Sequence, residues 1–362
     1  MYSRILLPLL ALPALVAGTY DPRPDLASGR YLKALAEAEA QLATNQGNAL
    51  AWAAKSQVFS SLQLFGEGLT AAERALALQP GLADGFLARG LARAGSAVQQ
   101  RNFSSLRSAS GALEDLEEAT RLDPRLAEGW MSLGLAYQML PGILGGSTRK
   151  ALACAGSLRS VNPARGDLLQ GMVLSLDGRW KAAEPFFGRA LAQAPADPEV
   201  VYGYLDCLGS RETRKTLGAE DQRRRQGIEA KRLLPPVKHR ARALEAITDA
   251  LLDAGQPEEA WRIARDALPQ ADAPSLVRLQ LGKLAARTGL HLQEGLANLD
   301  QVIREPIEGG SGGYPSAHWR RGQILLALGR KPEARAAAQA ALKVDPKHRG
   351  ARELLSAIDD GV

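Results

Sequence analysis

The sequence predicts an all-α fold in which helix-turn-helix units stack into an α-solenoid, and three observations lead to this prediction. Alanine-rich segments end repeatedly at a proline, which cannot extend a helix without cost. Glycine and alanine recur at fixed distances before these prolines, as closely packed helices require. No alternating run of apolar and polar residues indicates a strand. The closing prolines are Pro80, Pro124, Pro163, Pro195 and Pro346.

One segment shows the unit most clearly. Trp130, Leu133, Gly134 and Tyr137 stand in the spacing Trp-x-x-Leu-Gly-x-x-Tyr, and Pro163 closes the unit. The rings fill space between two helices, and the glycine lets their backbones approach. This spacing resembles the tetratricopeptide repeat, a helical hairpin of ~34 residues. The resemblance implies a right-handed α-solenoid that acts as a binding scaffold.

The same spacing recurs along the chain and gives about eight stacked repeats over residues 48–346. Residues 19–47 are expected to form an N-terminal cap segment with one amphipathic helix, and residues 347–362 a C-terminal capping helix. The aromatic position of the first helices is filled by Trp52, Phe86, Trp130 and Leu244. The close-approach position is filled by Gly90, Gly134, Gly171, Gly282 and Gly322.

Residues 1–18 are not expected to join the solenoid. Arg4 precedes an apolar run from Ile5 to Val16, which is typical of a secretory signal peptide. The protein is therefore expected to be exported, most simply to the periplasm; the alternative is retention by an uncleaved N-terminal anchor. More narrowly, the chain resembles exported bacterial repeat proteins of unassigned function, through the insertion at 141–151 and the stretch 316–324.

The sequence favours a non-catalytic protein without cofactor or metal. Its histidines, at positions 239, 291, 318 and 348, have no metal-ligand spacing among themselves, and no nucleophile motif is present. Cys154 and Cys207 are interpreted as buried thiols, with a disulfide bridge as the alternative. Nucleic acid is an unsuitable partner because no aromatic residues interleave with the basic ones.

A protein or peptide partner is expected on the concave face, which the first helices line. The predicted groove is apolar with amides; its alternative is that these side chains pack against neighbouring helices. The predicted groove residues are Gln57, Met131, Leu135, Gln138, Leu168, Met172, Leu279, Trp319, Gln323 and Leu326.

Irregularities in the repeat suggest further sites. Intervals longer than one repeat predict inserted loops at Gly95–Ser110 and Pro141–Ser147, which could contribute to partner binding. In the second loop, Gly145, Gly146 and Ser147 could present N–H groups to a small anion, or Ser147 could simply cap a helix. A glycine-rich connector is expected at Glu308–Gly313.

Positive charge is concentrated between Arg211 and Arg242, where eleven Lys and Arg face four Asp and Glu. This segment could bind an anionic polymer or a membrane surface, or it could form a solvated helix face. The candidate basic patch is Arg223, Arg224, Arg225, Lys231, Arg232, Lys238 and Arg240. The sequence does not determine the oligomeric state.

Overall fold

A computed structural model of the chain describes residues 20–27, 30–100, 103–305 and 313–360. These residues contain 20 α-helices, two short 3-10 helices and no strand. The fold is the all-α solenoid of helical hairpins that the sequence predicts. The N-terminal region contributes α1 (Arg23–Ala27) and α2 (Tyr31–Thr44).

Eight antiparallel helix pairs follow. The first four repeats are α3 (Ala49–Ser61) with α4 (Phe65–Leu78), α5 (Ala83–Gln100) with α6 (Phe103–Leu122), α7 (Ala127–Met139) with α8 (Thr148–Val161), and α9 (Pro163–Leu176) with α10 (Trp180–Gln193). The fifth repeat pairs α11 (Pro198–Gly209) with a second helix that follows the short α12 (Arg211–Leu217), namely α13 (Ala219–Val237). The last three are α14 (Ala241–Asp253) with α15 (Pro257–Ala267), α16 (Pro274–Thr288) with α17 (Leu292–Arg304), and α18 (Gly313–Ala327) with α19 (Lys331–Val344). The chain closes with α20 (Arg349–Asp359). The 3-10 helices are Gly142–Leu144 and Leu268–Gln270.

First helices of successive repeats pack on one another in two runs. α3 contacts α5, and contacts also run in succession through α7, α9, α11, α14, α16 and α18. Each second helix instead packs between its own partner and the first helix of the next repeat. The solenoid therefore curves around its first helices, whose exposed side we call the inner face.

Local sequence fixes where the repeats begin. The side chains of Asn48, Asn162 and Asp197 accept hydrogen bonds from backbone N–H groups in the first turn of α3, α9 and α11. The indole of Trp130 donates to the Pro124 carbonyl at 2.9 Å, across the turn that precedes its helix. Trp52 makes the equivalent bond to the Gln46 carbonyl at 3.0 Å. At these two positions the aromatic residue of the repeat therefore stabilises the turn that precedes its helix.

The close-approach glycines lie where the sequence places them, in the middle of first helices. A Cβ on Gly134 would lie 2.7 Å from Leu169 of the next repeat, and one on Gly171 would lie 2.9 Å from Phe187. A Cβ on Gly282 would meet three Leu299 atoms at 2.3–2.8 Å. No other side chain fits these positions without displacing a buried neighbour.

The extra residues of the second repeat lengthen its helices and do not form the expected loop. Residues 95–100 continue α5 and residues 103–110 belong to α6. The prediction of a loop over Gly95–Ser110 is therefore wrong for these residues, because the segment contains no proline to interrupt the helical pattern. Near the end of this long hairpin, Val98 and Leu106 are exposed.

Capping helices are present at both ends. The amphipathic helix expected within residues 19–47 is α2, which the short α1 precedes, and the helix expected within residues 347–362 is α20. Leu354 of α20 packs onto Gly322. At the front, Arg23 of α1 forms ion pairs with Asp84 at 2.6 Å and Asp123 at 3.4 Å, which tie α1 to the starts of α5 and α7. The signal-peptide prediction and most of the connector at 308–313 lie outside the described residues.

A buried carboxylate replaces the aromatic residue in the fourth repeat. Asp167 is 2% exposed and accepts hydrogen bonds from Arg159, Arg189 and Gln193 at 3.0–3.2 Å. Burial alone would raise the pKa of Asp167, but the hydrogen bonds and arginine charges outweigh it and hold the pKa below its ordinary value. These contacts join α9 to both α8 and α10.

We expect Gly282→Ala to destabilise the fold by about 1–3 kcal/mol, because the added methyl group overpacks the contact with Leu299. The matched control is Gly188→Ala, in a helix where an added Cβ meets nothing within 4 Å. The control should stabilise by about 0.5–1 kcal/mol through helix propensity. Urea unfolding followed by circular dichroism measures both, and equal effects of the two substitutions would contradict the close-approach assignment.

We expect Asp167→Asn to cost about 2 kcal/mol at neutral pH, because it removes the charged acceptor of three hydrogen bonds. A carboxylate with a depressed pKa stabilises the fold above its unfolded pKa of about 3.9, and the contribution is lost as the pH falls through the folded pKa. The cost of the substitution should therefore shrink below about pH 4. Unfolding curves recorded at neutral pH and below about pH 4 test this, with the exposed Asp266→Asn as control. If Asp167→Asn lowers the free energy of unfolding equally at both pH values, the carboxylate does not stabilise the fold in this way.

Candidate partner-binding surface

The inner face carries most of the predicted groove residues as half-buried side chains. Met131, Leu135 and Gln138 lie on α7, and Met172 lies on the adjoining α9. Gln57 is half-buried on α3. At the other end, α18 presents Trp319, Gln323 and Leu326 in the same state. The structure thus divides the predicted groove into a group on α7 and α9 and a second group on α18.

Two predicted groove residues belong to the core. Leu168 is 2% exposed and Leu279 is 6% exposed. Leu168 fills the space over Gly203 of the next repeat, where a Cβ would lie 3.0 Å from it. Their assignment to the groove is therefore wrong, because neighbouring first helices approach closely enough to enclose these positions. The alternative considered for them, packing between helices, applies.

Trp319 also has a structural role. Its indole lies under the start of α20, where a Cβ on Gly350 would be 2.5 Å from the ring. The guanidinium of Arg320 lies over the same ring at 3.8 Å, and His348 contacts it from α20. A change at Trp319 would therefore disturb the C-terminal cap as well as the inner face.

The middle of the inner face is charged, which the sequence projection missed. Arg242 of α14 forms ion pairs with Glu199 of α11 at 3.3 Å and with Glu245 at 3.1 Å. Its guanidinium also lies over the Tyr202 ring at 3.4 Å. At the next junction, that is, the contact between first helices of adjacent repeats, Arg287 of α16 pairs with Asp253 of α14 at 3.0 Å. The apolar groove predicted for the whole face is therefore interrupted by a polar middle.

Further charged contacts complete this polar region. Lys283 of α16 and Gln280 both donate to Asp249 of α14, and Arg287 lies 3.6 Å from the same carboxylate. Arg165 of α9 pairs with Asp197 at 3.2 Å. Arg165 also lies 3.7 Å from Glu128 of the preceding α7. Apart from the pair of Arg165 with Asp197, basic groups on a later first helix thus meet acidic groups on an earlier one. Repeats five to seven lack the Trp-Gly-Tyr spacing, so no motif indicates which of their positions face inward.

A cavity of about 260 Å³ opens between α11 and α14 on this polar stretch. We call it the acidic pocket. Its polar lining comes from Tyr202, Asp206 and Ser210 at the α11 side, Gln226 of α13, Asp249 and Asp253 of α14, and Arg287 of α16. A narrower crevice at the next junction is lined by Glu245, Lys283 and Ser316. The two depressions follow each other along the inner face.

Asp206 has an unusual environment within the acidic pocket. Its side chain is exposed and lines the pocket between α11 and α14. Burial raises the pKa of Asp206; Arg242 opposes this effect, while Glu245 and Asp249 add to it. In the described part of the chain, its carboxylate makes no hydrogen bond or ion pair. Asp206 therefore offers an acceptor that the fold itself does not use.

The basic segment lies on α13 and in the turn after it, within a second helix. Four of its arginines have carboxylate partners: Arg224 pairs with Asp221, Arg225 with Glu184, Arg232 with Glu229, and Arg240 with Asp272. The remaining residues, Arg223, Lys231 and Lys238, are exposed. Binding of an anionic polymer there stays a prediction, for a segment whose positive charge is largely paired.

The backbone N–H groups of the loop after α7 are bonded within the loop and to α7. The N–H groups of Gly145 and Gly146 donate to the carbonyls of Gly142 and Pro141, and that of Ser147 donates to Tyr137 at 2.8 Å. The Ser147 hydroxyl caps α8 by accepting from the Lys150 N–H. The anion-site interpretation is therefore wrong for these N–H groups, and the helix-cap alternative is confirmed. A Cβ on Gly146 would lie 1.7 Å from a carbonyl oxygen, so the loop requires glycine there.

The same loop exposes apolar side chains. Met139 is 71% exposed and Ile143 is 91% exposed. Their hairpin neighbours the long second repeat, whose Val98 and Leu106 are also exposed. Exposed large apolar groups grouped at one edge are a common mark of interaction surfaces. Sequence reasoning placed the loop here but did not identify these side chains.

Reactive groups are scarce in the described part of the chain. Cys154 and Cys207 are buried free thiols, as interpreted, and burial raises the pKa of each to about 12. Within residues 20–27, 30–100, 103–305 and 313–360, no three His, Cys, Asp or Glu side chains are grouped to hold a metal ion. Over the same ranges, no helix is long and apolar enough to cross a membrane.

The last repeat matches a known protein family. Residues 315–348, which contain most of α18 and all of α19, match the family model for the tetratricopeptide repeat. Residues 315–348 therefore match one tetratricopeptide repeat, and the other helix pairs of the described chain are hairpins of the same helix-turn-helix kind. Proteins with this repeat generally act as protein-interaction scaffolds and not as catalysts. No curated protein sequence matches the chain.

Solved structures of repeat proteins resemble parts of the chain. A thermophilic TPR protein of Thermus thermophilus is 24% identical, with 52% of this chain and 95% of that chain covered and a TM-score of 0.45. The Cut9–Hcn1 hetero-tetramer of the APC/C matches at 14% identity, covering 93% of this chain and 54% of that chain, with a TM-score of 0.42. A MamA protein matches at 17% identity over 49% and 90% of the two chains, with a TM-score of 0.32.

We expect the Asp206 carboxyl group to titrate above the ordinary aspartate range, because burial raises its pKa. Carbon-13 NMR of labelled aspartate carboxyls measures this directly. Replacing Arg242→Gln should raise the Asp206 pKa further, since the guanidinium lowers it. Arg262→Gln, on the outer helix α15, should leave it unchanged; a fall in the Asp206 pKa in the Arg242 variant would contradict the site geometry.

Proposed function

We propose that this chain is a non-catalytic scaffold of the bacterial cell envelope that holds a protein or peptide partner along its inner face. One observation carries the proposal: the adjoining first helices α7 and α9 pack together and leave Met131, Leu135 and Met172 half-buried on their surface. Apolar side chains in this state gain free energy when a partner covers them. A concave row of first helices suits an extended segment or a helix.

The charged middle of the inner face determines what kind of partner fits. Arg242, Asp249 and Arg287 lie between the two apolar groups of the groove. A purely apolar helix would desolvate these charges without replacing their hydrogen bonds, which is costly. The partner segment therefore carries apolar side chains at its ends and polar or charged ones in the middle. Its binding should weaken as salt screens the exposed charges.

The exposed edge formed by Val98, Leu106, Met139 and Ile143 is proposed as a second part of the same interface. It lies on the second and third repeats, the repeats that depart from the regular length. A partner that passes through the inner face and over this edge would use both of the chain's apolar surfaces.

Location in the envelope rests on the N-terminal sequence. The apolar run after Arg4 has the length and composition of a secretory signal. We propose export to the periplasm with cleavage near residue 18. Western blotting of periplasmic and membrane fractions for a C-terminally tagged chain distinguishes a cleaved periplasmic form from an anchored one by size and fraction.

We expect Met172→Glu to reduce capture of the partner from envelope extract by at least about tenfold, since it places a charge under the covered surface. Quantitative mass spectrometry of proteins retained by the immobilised mature chain measures capture. The matched control is Ile228→Glu, an exposed apolar residue of the second helix α13, which should retain the partner fully. Unfolding midpoints of both variants check folding, and equal capture by folded Met172→Glu would refute the use of the inner face.

A further inference from the structure

We propose that the acidic pocket between α11 and α14 binds the basic side chain, lysine or arginine, of an extended partner segment lying on the inner face. The inference rests on the proposed scaffold function and specifies the chemistry of its partner. Three groups of observations support it: an unused carboxylate, an unused buried amide, and the position of the pocket among the repeats.

The carboxylate is that of Asp206. Among the acids of the pocket, Asp249 is already bonded to Lys283 and Gln280, and Asp253 is paired with Arg287. Asp206 has no such partner in the described chain. The pocket therefore keeps one carboxylate that its own cations do not pair with. A cation that enters the pocket would give Asp206 a partner, as Asp249 and Asp253 already have.

The amide is that of Gln226, which reaches the pocket from α13. Its side chain is 2% exposed and lies against Gly209, where a Cβ would be 3.1 Å from its nitrogen. No hydrogen bond of this side chain is formed within residues 20–27, 30–100, 103–305 and 313–360. Because this unpaired amide lines the cavity, it is available to bond a ligand with hydrogen-bonding groups.

The surrounding charges favour a cation over an anion. Arg242 lies near Asp206, but it is committed to Glu199, Glu245 and the Tyr202 ring. Arg287 is committed to Asp249 and Asp253. An anion in the pocket would meet the Asp206 carboxylate without a free cation to offset it, whereas an ammonium or guanidinium group can donate to both Asp206 and Gln226.

The position of the pocket favours a side chain of a longer segment over a free small molecule. The pocket lies at one junction of first helices, and the crevice lined by Glu245 and Ser316 lies at the next. The pocket is lined by α11, which packs on α9, the helix that carries Met172. A chain extended along this surface can insert one side chain at the pocket while its neighbours cover the adjoining groups.

The test uses four acetylated, amidated heptapeptides of alanine and glycine that differ only at the centre, which is lysine, arginine, norleucine or glutamate. Binding to the mature chain is measured by isothermal calorimetry and by nitrogen-15 NMR shifts. We expect the lysine or arginine peptide to bind at least about tenfold more tightly than the norleucine peptide, which has a similar length without the charge. The shifts should centre on Asp206 and Gln226.

Two variants locate the effect. Asp206→Asn should abolish the advantage of the basic peptides, and Gln226→Met should reduce it, while the exposed Asp266→Asn should leave it intact. Thermal melts check that each variant folds. Equal binding of lysine and norleucine peptides, tighter binding of the glutamate peptide, absence of binding by either basic peptide, or an unchanged advantage in folded Asp206→Asn would each overturn the inference.

The outcome is separable from that of the scaffold proposal. If the natural partner is captured equally well by Asp206→Asn but lost from Met172→Glu, the scaffold function stands and the pocket assignment fails. If basic peptides bind at Asp206 but the envelope yields no partner that depends on the inner face, the pocket stands and the scaffold function fails.

Discussion

Close approach of helices at single glycines is the constraint on which the rest of the structure depends. At Gly134, Gly171 and Gly282 a first helix touches a side chain of a neighbouring helix where even a methyl group would not fit. Gly134 fixes the distance between two neighbouring repeats through Leu169, whereas Gly171 and Gly282 fix the distance between the two helices of one hairpin. Because interiors are close-packed, a change at one of these positions is transmitted to the next helix and is not absorbed locally.

That spacing produces both surfaces of interest. First helices held this close enclose residues such as Leu168, and they bring charges on successive repeats within ion-pair distance, as with Arg242 and Glu199. At the cavity lined by α11, α13 and α14, the same packing leaves Asp206 and Gln226 without partners. The polar middle of the inner face is thus a consequence of repeat packing at its least regular point, beside the short inserted helix α12.

Much of the fold could be predicted from the sequence because helix packing determines the residue type at a few positions of each repeat. Gly134 and the closing prolines gave the number of hairpins and the two caps. The lengthening of the two helices after Gly95 was not predicted. The spacing between closing prolines shows how many residues are inserted, but not whether they form a loop or extend a helix. The site was harder to predict: Leu279 looked inward-facing in projection but is enclosed by its neighbours, and Asp206 lies in a repeat without the aromatic position. Exposure depends on the distance between helices, which no single repeat encodes.

The two capping helices have a consequence for assembly. Every repeat joins the next through unlike surfaces, a leading side that meets a trailing side, so the stack has polarity and could in principle continue indefinitely with further copies of the chain. The helix α20 ends this series by covering Gly322 with Leu354 while presenting Arg349, Arg352 and Glu353 outward. α2 occupies the opposite end. Removing either helix would leave a bare stacking face complementary to the other end, and chains lacking both would polymerise head to tail into filaments.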